Sequence, residues 1–155
     1  MDMAKREIVS PLRAHVGYWL RFVSNHVSHA FARKIEAQGV TVAEWVILRE
    51  LFESDAVAPS DIAARVGLTR GAISKLCDRL AAKSLITQAP GKADRRYQVL
   101  RLTAEGRALV PKLAALADKN DAEFFGHLKP AEKKAIVAAM QDIVARRGLK
   151  TVPTE

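Results

Sequence analysis

A chain of 155 residues, 49% apolar and only 6% aromatic, suits one helical domain with a real core rather than a β-sandwich. No apolar run approaches the ~18 to 20 residues of a bilayer-spanning helix, MDMAKREIVS carries no apolar export segment, and the lone Cys77 excludes an internal disulfide, so the expectation is a cytoplasmic protein with no membrane partner. The net charge of +8 is concentrated: residues 56–107 hold ten Lys or Arg against four acids, leaving +2 for the rest, and such clustering favours a polyanionic partner through counterion release.

Leu12, Val16, Leu20, Val23, Val27, Phe31 and Ile35 recur three or four residues apart and predict a helix over 11–39. Pro11 suits its first turn and Gly39 its C-terminal cap. Thr41 to Glu44 has the S/T-x-x-E pattern of a capping box, which opens a second helix with Trp45, Leu48 and Phe52 on one face.

From Pro59 the elements shorten. PSDIAARVGLTRGAISKLCDRL, residues 59–80, reads as two short helices around Gly67, a turn position where a positive φ is inexpensive only for glycine. Ala63 is small where the helices must cross, and Ile62, Val66, Leu68, Ile73 and Leu76 have the spacing to bury between them. This is a helix-turn-helix over 59–83, whose second helix would enter a major groove by its N-terminal end. The face it leaves exposed bears Thr69, Arg70, Ser74, Lys75 and Arg79. Arg70 and Lys75 suit guanine edges or phosphates, Thr69 and Ser74 suit phosphate oxygens, and Ala72 suits a thymine methyl.

Strand-like runs at 85–89 and 97–102 flank PGKADRR, making a hairpin wing over 85–102 with Lys92, Arg95 and Arg96 at its tip. Such a tip can reach a minor groove, where negative potential attracts arginine. Asp94 would be counterproductive if charge alone mattered; its role would be to hold Arg95 or Arg96 at a fixed angle through an ion pair. Thr103 then caps a long helix with Leu109, Leu113, Leu116 and Phe124, and Pro130 opens a last helix striped by Ile136, Met140 and Ile143. The fold class expected is mainly α with a small β-hairpin wing. A winged helix-turn-helix (41–107) is flanked by helices at 11–39 and 103–148, all within one domain of residues 1–155.

At this point the sequence resembles the MarR (multiple antibiotic resistance regulator) family over nearly its whole length. The resemblance rests on VGYWLRFVSNHVSHAF, GVTVAEWVILREL, DIAARVGLTRGAISKLCDRLAAKSLI, DRRYQVLRLTAEG and PAEKKAIVAAMQDIV, most specifically on DRR at the wing tip followed by LTAEG. It implies a homodimer, built through the flanking helices, that binds double-stranded DNA at a pseudo-palindromic operator, usually as a repressor released by a small ligand. By the same resemblance Arg96 is the minor-groove arginine, Asp94 its orienting partner, and Arg70, Ser74 and Lys75 lie on the recognition face. Ser84 departs from the family's usual glycine after the recognition helix, so its cap must turn left-handed at some cost or end differently. Gln88 and Ala89 replace commonly basic wing residues.

Small anionic aromatics often bind between the dimer helices and the winged domain in this family, and Trp19, Phe22, His26 and Trp45 are the residues here that would line such a site. His15, His26 and His29 have no accompanying acid or cysteine cluster, so no metal is expected, and Cys77 reads as a buried, inert thiol. There is no Gly-rich phosphate loop or nucleophile elbow, so neither an enzyme nor a cofactor is expected. The alternative is a nonspecific winged-helix architectural protein, which would share the basic stripe without preferring one DNA sequence.

Overall fold

The computed structural model describes residues 8–150; the ends of the expected 1–155 domain, residues 1–7 and 151–155, lie outside it. Among the described residues six α-helices run α1 (Val16–Glu36), α2 (Val42–Phe52), α3 (Pro59–Val66), α4 (Arg70–Ala82), α5 (Ala104–Phe125) and α6 (Pro130–Arg147). Between α4 and α5 stand β1 (Ile86–Pro90) and β2 (Gln98–Leu102), paired antiparallel from Ile86 opposite Leu102 to Pro90 opposite Gln98.

The first helix differs from expectation. Leu12–Ala14 form a 3-10 turn, His15 is extended, and the α-helix begins only at Val16. The turn's carbonyls find local partners instead of a continuing helix: the His15 ring lies 3.1 Å from the Leu12 carbonyl and the Trp19 indole donates to that of Arg13 at 2.9 Å. The expected capping box at α2 is half formed. The Thr41 hydroxyl accepts from the Glu44 N–H, but the Glu44 carboxylate turns inward to Lys83 at 2.7 Å. The first strand starts one residue later than expected and takes in Pro90, which costs no bond at the last pair before the turn. Val57 forms an isolated bridge with Leu100, extending the hairpin by one residue that no sequence pattern marks.

Elsewhere the local chemistry works as read. Gly67 turns at φ 70° between α3 and α4, and the Thr69 hydroxyl caps α4 by accepting from the Ala72 N–H. Ser84 adopts the left-handed conformation at φ 61°, and the Leu85 N–H reaches back to the Leu80 carbonyl, so α4 ends in a glycine-type cap without glycine. Thr103 joins three elements: its hydroxyl donates to the Ser84 carbonyl at 2.7 Å and accepts from the Gly106 N–H at the start of α5.

One core fills the space enclosed by α2, α3, α4, the hairpin and the first half of α5, with Ile47, Leu48, Leu51, Ile62, Leu80 and Leu100 fully buried. Burying each such side chain contributes about 1.5–3 kcal/mol. From α1, only Ile35 is buried there; Lys34 and Asn120 bind α1 to α5, with Lys34 donating to Asn120 and pairing with Glu123 at 2.8 Å. α6 buries no residue, and Ile136, Met140 and Ile143 stand exposed with Leu12, Val16 and Leu20. Among the described residues no helix is long and apolar enough to cross a membrane.

Candidate nucleic-acid interface

The helix-turn-helix forms because its inward positions are apolar. Ile73, Leu76, Cys77 and Leu80 bury one face of α4 against the core, which turns the polar positions of the same helix outward. Arg70, Ser74, Lys75 and Arg79 are therefore exposed, with Ala72 half-buried beside them and Thr69 at the exposed N-terminus. Thr69 already accepts a bond from its own helix, which leaves its hydroxyl proton available. Arg79 differs from the others: its guanidinium lies 3.5 Å from the buried Glu44 carboxylate.

The wing places its tip beside this face. Gly91 donates to the Tyr97 carbonyl and Tyr97 to that of Asp94, closing the turn that presents residues 92–96. Asp94 selects Arg96, not Arg95. The guanidinium donates to both carboxylate oxygens, at 3.2 and 2.9 Å, and the Arg96 backbone N–H adds a third bond at 3.0 Å. Those bonds hold the Asp94 carboxyl below its ordinary value and raise that of Arg96. Arg96 nevertheless remains 87% exposed, so it is oriented without being consumed. Lys92 and Arg95 stand exposed on the same loop.

Arg70, Ser74 and Arg96 come together on a cleft of about 350 Å³ between α4 and the wing. Tyr97 and Ser60 line it too, and neither was anticipated; an exposed aromatic next to DRR was the available signal for Tyr97. Cys77 forms part of its floor, with burial and the neighbouring Asp78 pushing its thiol up to about 11. Gln88, uncharged where a basic residue was usual, donates to Asp78 of α4 at 3.1 Å and braces the wing against that helix.

The MarR family model matches residues 38–96, which span α2, the helix-turn-helix and the wing tip. Over that segment the chain is similar to the MarR family. The HTH-type transcriptional repressor MdtR of Bacillus subtilis is 38% identical over 72 residues, 46% of each chain. The structure of BpsR from Bordetella bronchiseptica, whose DNA binding is regulated by 6-hydroxynicotinic acid, superposes with a TM-score of 0.80 at 28% identity, covering 88% of this chain and 97% of that one. MepR of S. aureus, solved with DNA, shares the fold with a TM-score of 0.79 at 22% identity over 85% of this chain and 98% of its own. In sequence and fold the chain is thus similar to MarR-family transcriptional regulators with a winged helix.

The four residues expected to line an effector site separate. Trp19, Phe22 and His26 form an exposed ladder on α1, with Phe22 stacked on His26 at 5.1 Å. Trp45 lies apart, edge-on to Phe31 at 6.2 Å and partly in the core. Asn25, His26, His29 and Arg33 line a cavity of about 420 Å³ on α1, so His26 alone of the four reaches it.

Proposed function

We propose that the protein is a homodimeric repressor that reads a pseudo-palindromic operator in double-stranded DNA. The N-terminal end of α4 would enter the major groove, with Arg70 and Lys75 at base edges or phosphates, Thr69 and Ser74 on phosphates, Ala72 against a thymine methyl, and Arg79 at the periphery. Arg96, aimed by Asp94, would enter the adjacent minor groove, with Lys92 and Arg95 on the flanking backbone. The observation that carries this reading is the doubly bonded Asp94–Arg96 pair, whose arginine stays 87% exposed beside the cationic face of α4.

The winged unit spans 41–107, and the helices at 11–39 and 103–148 form the dimer. Exposed apolar side chains on both, Val16 and Leu20 against Ile136, Met140 and Ile143, support the assignment, since solvated stripes of this kind mark an interface. Two-fold symmetry then spaces the recognition helices by about one DNA turn, ~34 Å. A small anionic aromatic would release the operator, in keeping with the regulation of BpsR by 6-hydroxynicotinic acid; of the four expected contacts, Trp19, Phe22 and His26 on α1 would meet it, with Trp45 set apart against Phe31.

The test is selection of bound fragments from a genomic pool, followed by affinities for the selected duplex and for random duplex at matched salt. A ratio of at least about 10³ is the expected result. Equal affinities would make the protein a nonspecific architectural binder.

A further inference from the structure

Among the described residues Glu44 is the one buried charge, 0% exposed, and it sits at the third position of α2 facing the far end of α4. Two cations one helical turn apart, Arg79 in the last turn of α4 and Lys83 at its C-terminal cap, converge on it. Lys83 Nζ donates to Glu44 Oε2 at 2.7 Å and to the Gly39 carbonyl at 2.8 Å, while Arg79 Nη2 stands 3.5 Å from Oε1. That distance makes an ion pair but is too long for a hydrogen bond, and Oε1 is buried without a hydrogen-bond partner. The two cations are themselves 57% and 37% exposed, so their stems run from the protein exterior to a buried anion.

A buried ion pair of this kind is a poor source of stability, because desolvation offsets most of the Coulombic gain and a packed apolar side chain would serve as well. What it supplies is direction. The carboxylate is drawn off the helix-capping role that its Thr41-x-x-Glu44 spacing offers, and grips α4 at its C-terminal end instead. A helix is about 5–6 Å in radius with its side chains, so a 10° rotation moves a side-chain tip by about 1 Å, enough to break a paired hydrogen bond to a base edge.

We infer that Glu44 is a positioning residue for sequence reading: by holding Lys83 and drawing in Arg79, it fixes the rotation of α4 about its axis and keeps two cations from binding DNA indiscriminately. The inference rests on the proposed DNA reading by α4. In Glu44→Gln the shape is kept and the charge removed. Lys83 and Arg79 are released, the exposed face loses its setting, and two mobile cations become available to phosphates of any sequence.

The test measures the affinity of the full-length wild-type and Glu44→Gln proteins for a duplex selected by the wild type from a randomised pool, and for random duplex, across a salt series. The expected result is a roughly tenfold loss in the selected-to-random ratio, with affinity for random duplex unchanged or raised and a steeper salt dependence. A folding defect would lower both affinities together and leave the ratio alone, so an unchanged ratio overturns the inference. Should Glu44→Gln fail to fold, Lys83→Gln removes the same anchor at a partly exposed position and must also lower the ratio; if it does not, the inference fails. A wild type that cannot distinguish selected from random duplex overturns the DNA reading itself and takes this inference with it, whereas a discriminating wild type matched by its variants overturns the inference alone.

Discussion

Gln88 Nε2 donates to Asp78 Oδ1 across 3.1 Å, so the first wing strand is tied to the recognition helix by a side-chain bond outside the hairpin ladder. That bond braces the wing against α4, the two elements proposed to read DNA. Gln88→Ala and Asp78→Ala should each weaken operator binding by about 0.5–1.5 kcal/mol, the net worth of one hydrogen bond. Because both remove the same bond, the double variant should lose no more than the single ones. A double-mutant cycle checks this, and additive losses would show that the bond does not brace the wing.

Asp94 is expected to act through Arg96. Arg96→Ala should cost operator binding about 1–3 kcal/mol with dimerisation intact, and Asp94→Asn should lose part of that. Exposed pairs contribute little to folding, so the melting temperature of both variants should stay near that of the wild type. Unchanged affinity in Arg96→Ala would remove the minor-groove role.

The same pair sets a pH dependence. The Asp94 carboxyl, ordinarily at 3.8, is lowered by its bonds from Arg96. A group whose value is depressed by folding keeps its interaction above the ordinary value and loses it only as pH falls through the lowered one. The Arg96 Nε–H resonance should therefore hold its paired position from neutrality down to about pH 4. Movement already near pH ~5 to 6 would contradict the pairing.

Two backbone sites test the junction beneath the wing. A Cβ on Gly106 would meet the Leu85 carbonyl oxygen, and that neighbour is backbone that cannot step aside. Gly106→Ala should destabilise the protein by about 1–3 kcal/mol. Ser84 holds φ at 61°, and Thr103 bonds to its carbonyl, which glycine keeps, so Ser84→Gly should stabilise by roughly 1 kcal/mol. Denaturant midpoints measure both, and the two changes should carry opposite signs.

Cys77 is 1% exposed and its thiol is raised to about 11. At pH ~8 an ordinary thiol is partly ionised, whereas this one should be almost wholly protonated. Iodoacetamide should label the native protein at least about tenfold more slowly than the unfolded chain. Equal rates would mean that the cleft floor opens to solvent.

Local chemistry made much of the architecture legible from sequence. Gly67, Thr69 and Thr103 carry out the turn and cap roles their residue types dictate, because those roles depend on φ preferences and on bonds spanning three residues. Apolar spacing likewise marked Ile62, Ile73 and Leu76 as buried and turned Arg70, Ser74 and Lys75 outward. The break of the first helix at His15 escaped that logic, since the apolar period runs through it and the decisive bonds come from the rings of His15 and Trp19.

Other relationships were decided only by tertiary structure. The wing sequence offered Asp94 two arginines, and the geometry of the turn chose Arg96. Glu44 had the spacing of a capping box, yet Lys83, 39 residues downstream, supplied a cation that a local backbone N–H could not match in a buried setting. Trp19 and Trp45 looked alike as candidate effector contacts until folding placed one on an exposed helix face and the other against Phe31. Sequence thus determined what depends on neighbours within a turn or two of the chain, while partners brought together by packing were assigned only when the helices docked.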